Sequence, residues 1–205
     1  MNVSAVEPPQ STSGSHKRNN LIWLIAILLV ASLALYAFGG FRGSSSTTSS
    51  QTTSTSYSVS APSIVQYAAQ GYVDGYNATS AGLLSPTRAG EESGAYAVLS
   101  QSQSLANITA LVFDTTNSSQ SYYDLFVSNV QGLAGFTDIS SVLSGYQQYG
   151  SCYAYGEDVD GIAVANGVCR DGNVFLEAHL SSTEAITQAE SDLSSLMGAM
   201  YQSVS

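Results

Sequence analysis

Past residue 16 the chain contains a single histidine, His179, and Glu177 stands two positions before it. A histidine oriented by an acid is the base half of a nucleophilic triad. No Gly-x-Ser-x-Gly elbow accompanies the pair, so the preferred reading is a strand histidine with its hydrogen bonds satisfied. Glu157-Asp158-Val159-Asp160-Gly161 is the densest acidic cluster. Asp-x-Asp-Gly opens a calcium loop, whose ligands are oxygens. Ile162 and Val164 stand where further acids are required, so the segment reads as a solvated hairpin turn and no metal is assigned. Spacing alone does not dismiss a carboxylate pair for glycosidic hydrolysis. A small hydrolase is therefore kept as the third reading, without catalytic residues and without a cofactor.

Cys152 and Cys169 are the two cysteines. A disulfide is expected in an oxidising compartment, and closing so short a loop stabilises by on the order of 3 kcal/mol. The rival, a metal site, has only His179 nearby and matches no zinc spacing. Tyr146, Tyr149, Tyr153 and Tyr155, with Gln147 and Gln148, make an aromatic–amide cluster. Tyrosine joins apolar area to a polar handle, which suits a sugar or protein surface, although alternating tyrosines also pack a sheet face. Tyr153 and Tyr155 fall on one face of a strand, so both are core or both are surface. These four tyrosines are the candidate partner site. Asn-x-Ser/Thr sequons occur at Asn2, Asn77, Asn107 and Asn117. Asn77 and Asn117 fall in expected loops or caps and are the better glycan acceptors; Asn107, at a strand start, is the poorer.

The elements that must hold these residues follow from periodicity. Pro62-Ser63 opens a helix from Ser63 to about Tyr72, and 75–94 reads as loop. Ala95–Gln101 and Asn107–Asp114 read as strands, the second buried on both faces. Asn117 and Gln120 form a capping box for a helix with a stripe of Tyr122, Leu125, Phe126, Val130 and Leu133. Ile139–Leu143 reads as a helical turn. Cys152–Tyr155, Ile162–Cys169 and Asn173–Leu180 are strands, with Asp171-Gly172 as a hairpin signal and Asn166-Gly167 as a turn or a bulge. In the last strand Val174, Leu176, Ala178 and Leu180 face one way, and Phe175, Glu177 and His179 the other. Ser181 with Glu184 caps a final helix from about Ser182 to Tyr201. The order α-β-β-α-β-β-β-α implies an α+β domain, an antiparallel sheet covered by helices. That layout resembles extracytoplasmic sensor and lipoprotein domains.

Ahead of this domain lies the apolar run Leu21–Phe38, LIWLIAILLVASLALYAF. At a rise of about 1.5 Å per residue it spans roughly 27 Å, the thickness of a bilayer core. Lys17 and Arg18 precede it and only Arg42 follows closely, which puts the N-terminus inside. The chain then divides into a short cytoplasmic tail (1–20), a single transmembrane helix (21–38), a Ser/Thr-rich stalk (39–60) and an extracytoplasmic domain (61–205). The stalk is too polar to bury a core. Two alternatives attach to the run: a cleaved secretory signal, or a pilin-like precursor. Lys17-Arg18 directly before the helix resembles the processing site of archaeal type IV pilins, which implies cleavage near Asn19–Asn20 and an apolar helix in a filament core.

Beyond the stalk two arginines face fourteen acids, a net charge of −12. Such a surface does not attract nucleic acid or anionic headgroups. Its polarity rests largely on Ser, Thr, Tyr, Gln and Asn and survives protonation of the carboxylates, an expectation of an acidic exterior. The sequence therefore reads as a non-enzymatic, membrane-anchored binding domain of the cell envelope. Its expected partners are the membrane it spans and an envelope protein or glycan, with no nucleic acid.

Overall fold

The computed structural model describes residues 57–204, except 71–74, 102 and 132–134. The expected tail, the Leu21–Phe38 span and the stalk up to residue 56 lie outside these. Among the described residues no helix is long and apolar enough to cross a membrane.

A helix α1 (Ala61–Ala69) is followed by strands β1 (Asn77–Leu84), β2 (Glu91–Gln101) and β3 (Ser104–Phe113). Next come helix α2 (Thr116–Gln131), a two-residue strand β4 (Thr137–Asp138) and a 3-10 turn (Ser140–Tyr146). Strands β5 (Ser151–Val159), β6 (Ile162–Asp171) and β7 (Val174–Ser182) precede the last helix, α3 (Ile186–Tyr201). All seven strands form one antiparallel sheet in the order β1-β2-β3-β7-β6-β5-β4. The α+β expectation therefore holds for the described domain.

Several local expectations change. Residues 75–94, read as loop, contain β1. Its sequence NATSAGLL lies at the sheet edge with solvent on both sides, so nothing forces the alternation that marks a half-buried strand. The first helix starts earlier than Ser63, because Ser60 Oγ accepts from Ser63 N (3.4 Å) and Pro62 sits in the first turn. Thr115, rather than Asn117, caps α2, its Oγ1 accepting from Ser118 N at 3.2 Å. Ser181 caps nothing: it and Ser182 still belong to β7, and α3 begins at Ile186 without a side-chain cap. Asn166-Gly167 is neither turn nor bulge but continuous β6 pairing, Asn166 with His179 and Gly167 with Ala178. Glycine belongs there because a Cβ would lie 3.1 Å from Leu143 and 3.2 Å from Leu193.

The boundary of the domain also moves. Tyr57 and Val59, expected in the stalk, pack against the core. Tyr57 N donates to Asn173 Oδ1 (2.7 Å) and its hydroxyl to Asp171 Oδ2 (2.9 Å), so the chain is tied to the β6–β7 turn before α1 begins.

The two sheet faces differ. On one, Ala95, Ala97, Ala106, Ala110, Ala163, Ala165 and Ala178 keep the sheet surface low. Larger side chains from α1 (Ile64, Val65) and α3 (Leu193, Leu196, Met197, Met200) fill the space above it. On the other, α2 brings Tyr123, Phe126 and Val130 onto Leu111, Phe113, Val168 and Phe175. That second cluster lies toward one end of its face, and beyond it polar residues are interspersed with apolar ones (Val98, Leu105, Val164).

Candidate functional site

Register and pleat place the polar residues. Residues directly opposite in an antiparallel pair share a face. Crossing the second face at mid-height, one row therefore reads Val98 (β2), Asn107 (β3), His179 (β7), Asn166 (β6) and Tyr155 (β5). The row beside it reads Tyr96, Thr109, Glu177, Val168 and Tyr153. Strands lie about 4.8 Å apart, so Asn107, His179 and Asn166 make a continuous strip roughly 10 Å long.

Two atoms in this strip are anomalous. Asn107 Oδ1 and His179 Nε2 are both buried without a hydrogen-bond partner, and they belong to cross-strand neighbours. A buried polar atom left unpaired costs about 1–3 kcal/mol, and native folds rarely leave two side by side. The expectation of a satisfied strand histidine is corrected: His179 lies on a strand, but its Nε2 is open.

Burial sets the protonation. It pulls the His179 imidazole down to about 4, so the ring is neutral near pH 7. It lifts the Glu177 carboxyl to about 7, with Arg88 opposing the rise. Arg88 donates to Glu91 Oε2 (3.0 Å) and lies over the Tyr122 ring, 4.8 Å from its centroid. Desolvation raises the Tyr153 and Tyr155 hydroxyls, which stay protonated.

Glu157 and Glu177 do not form a carboxylate pair of the kind glycosidic hydrolysis uses. Glu157 shares the face with Glu177 but is two strands away and two rows along, roughly 17 Å by strand geometry. Carboxylate pairs in glycosidases sit about 5–9.5 Å apart. No hydroxyl engages His179 Nε2. Among the described residues no group of three His, Cys, Asp or Glu side chains converges to hold a metal.

The four expected tyrosines separate. Tyr146 and Tyr149 lie with Tyr201: Tyr146 stacks on it at 5.3 Å and donates to Ser194 O, and Tyr149 is exposed. Tyr153 and Tyr155 occupy the other face, with ring centroids 6.2 Å apart, beside the polar strip. Phe136 meets Tyr155 edge-on at 5.0 Å. Tyr155 is buried and Tyr153 half-buried. The break comes from the pleat, since Cys152 and Ala154 turn toward the helix-covered face. Cys152 and Cys169 are directly paired across β5 and β6 and form a disulfide, with Cα atoms 4.1 Å apart. Asp160-Gly161 is the turn between those strands, both residues at positive φ (54° and 79°), and Asp158 Oδ1 accepts from Gly161 N. Of the sequons, Asn77 opens β1 and Asn117 sits in the first turn of α2, both exposed, whereas Asn107 lies inside the strip.

Sequence reading missed Asn107 and Asn166 as partners of His179. The legible signal was the second face of the last strand, where Phe175 gives way to Glu177 and His179. Register across three strands was needed to collect the rest.

The fold and the strip define an α+β domain whose single antiparallel sheet carries a short, largely buried polar strip beside paired tyrosines. No family model matches the chain, and no curated protein matches it in sequence. Among solved structures it is similar to the extracellular domain of PknH from Mycobacterium tuberculosis, with a TM-score of 0.43 and 11% identity, over 62% of this chain and 80% of that one.

Proposed function

We propose that this chain is an envelope-facing, non-enzymatic binding domain, held at the membrane by its Leu21–Phe38 segment, with the sheet strip as its binding surface. One observation carries the reading: Asn107 and His179 are adjacent and half-buried on the second sheet face, and Asn107 Oδ1 and His179 Nε2 have no hydrogen-bond partner among the described residues. A binding partner that supplies both hydrogen bonds recovers the cost of leaving them open. The Cys152–Cys169 disulfide supports an oxidising compartment, as expected for a domain outside the cytoplasm. The wide separation of Glu177 from Glu157 supports recognition over hydrolysis.

The test uses the full chain in nanodiscs, sedimented with isolated native cell envelopes. The chain is expected to sediment, and Asn107→Ala with His179→Ala is expected to abolish this while the thermal midpoint stays within a few degrees. Equal sedimentation of the variant rejects the strip as the binding surface. Protease added to intact cells is expected to release the C-terminal domain; protection would reverse the topology.

A further inference from the structure

The two edges of the sheet are finished differently. β4, at one edge, is two residues long and ends on Asp138; a short, charged edge does not invite another strand. β1, at the other, runs over Asn77–Leu84 with no charged residue and no proline. On it Leu83 is 74% exposed. Ladder alternation fixes which backbone groups of β1 are free. Phe113 N donates to Asn173 O, so odd-numbered residues of β3 bond toward β7 and even-numbered ones toward β2. Ala95 and Ala97 of β2 are thereby taken up by β3. Their partners on β1, Leu83 and Ala81, hold N–H and C=O pointing away from the sheet. The Thr79 hydroxyl donating to Val98 O agrees, since it puts that even-numbered carbonyl of β2 on the β1 side.

We propose that this edge pairs with the β1 edge of a second copy of the chain, antiparallel about a two-fold axis at Gly82. Ala81 of each copy then faces Leu83 of the other and exchanges N–H and C=O with it, while Ser80 faces Leu84. The small Ala81 leaves room beside the exposed Leu83 side chain, so the strand is complementary to itself. Charge selects the same surface. A domain with a net charge of −12 repels its own copies. Residues 75–90 contain no acid, so the edge itself adds nothing to that repulsion. Two-fold pairing uses up both β1 edges, and the assembly closes as a dimer because only the short β4 edges are left. Pairing over residues 80–84 is small beside the roughly 1,200 Å² that stable interfaces bury. The dimer therefore forms at high local concentration and dissociates on dilution.

The experiment mixes two full-length variants, Ser80→Cys and Leu84→Cys, in detergent at high micromolar concentration under mild oxidation, and maps the linked peptides by mass. A disulfide from position 80 of one chain to position 84 of the other is expected to exceed the 80–80 and 84–84 links at least tenfold. The register holds those like pairs roughly 13 Å apart along the strand. Adding Ala81→Pro to both chains is expected to cut the mixed link at least tenfold while the thermal midpoint stays within a few degrees, because the lost N–H faces away from β2. Leu83→Glu, which changes only an exposed side chain, is expected to have the same effect and decides the matter if Ala81→Pro unfolds the domain. Equal yields of all three links mean random collision and overturn the proposal. So does a mixed link that survives Leu83→Glu. If no mixed link forms the second copy is likewise overturned, and loss of envelope sedimentation by Leu83→Glu would then assign the edge to an extended segment of another protein.

Discussion

Glu177 and His179 lie two residues apart on β7, project from the same face, and are driven in opposite directions by the same burial: the acid up to about 7, the base down to about 4. The folded chain keeps a proton on Glu177 that the unfolded chain releases above its ordinary 4.5, so this stabilisation is lost as pH rises from 4.5 toward 7. His179 works the other way. The unfolded chain takes up a proton below the ordinary 6.5 and the folded one does not, so stability is lost as pH falls from 6.5 toward 4. The two slopes oppose each other between pH 4.5 and 6.5 and largely cancel.

Single substitutions should unmask them. Glu177→Gln is expected to make stability rise with pH across that window, and His179→Gln to make it fall, each by at most about 3 kcal/mol relative to the parent chain. Asp171, also lifted by burial, is common to all three proteins and drops out of the differences. Urea titrations at half-unit pH steps test this; parallel profiles for all three chains would exclude it.

Asn107 and His179 should also be costly to the fold. Replacing a buried, unpaired polar group with an apolar one of similar shape removes its desolvation penalty. Asn107→Leu and His179→Leu are each expected to raise stability by about 1 kcal/mol in chemical denaturation while losing envelope binding. Destabilisation by both would mean that the polar atoms have partners in solution.

Much of this domain could be read without coordinates, and the misses share a cause. Strands half-buried by helices announce themselves by alternation, and β7 with its Val174/Leu176/Ala178/Leu180 face did so. The β1 edge did not, because no core selects its pattern. Both capping boxes misled for a related reason: Ser, Thr and Asn are so abundant here that a suitable spacing arises without the geometry. The Tyr146–Tyr155 cluster looked continuous in sequence, yet the pleat and the 3-10 turn put its halves on different surfaces. The Asn107–His179 contact joins residues far apart in sequence, and no local pattern encodes register between them.

The start of the folded unit is testable at Tyr57. A chain beginning at residue 57 keeps the bonds to Asn173 and Asp171 and the Ser60 cap; one beginning at 61 loses them all. With about 1 kcal/mol for each hydrogen bond and cap, the shorter chain is expected to be less stable by about 2–3 kcal/mol. Tyr57→Phe in the longer chain should lose about 1 kcal/mol. Equal stability of the two chains would return 57–60 to the stalk.

Gly150 offers the sharpest steric test. It stands at the bend that carries the chain from the 3-10 turn into β5, one residue before the strand and two before Cys152. A Cβ there would run into the backbone carbonyl of Arg170 and lie 3.1 Å from Asp171 Cα. Both obstacles are main chain on the neighbouring strand, so no side-chain rotation relieves the clash, and the β5–β6 pairing must open at the end that carries the disulfide. Gly150→Ala is therefore expected to lose at least about 2 kcal/mol. Gly145, in the preceding turn, has nothing within 4 Å of its would-be Cβ. Gly145→Ala should change stability by no more than about 0.5 kcal/mol. Thermal and urea unfolding of the two variants decide the matter, and a tolerated Gly150→Ala would show that β5 does not approach Arg170 as closely as described.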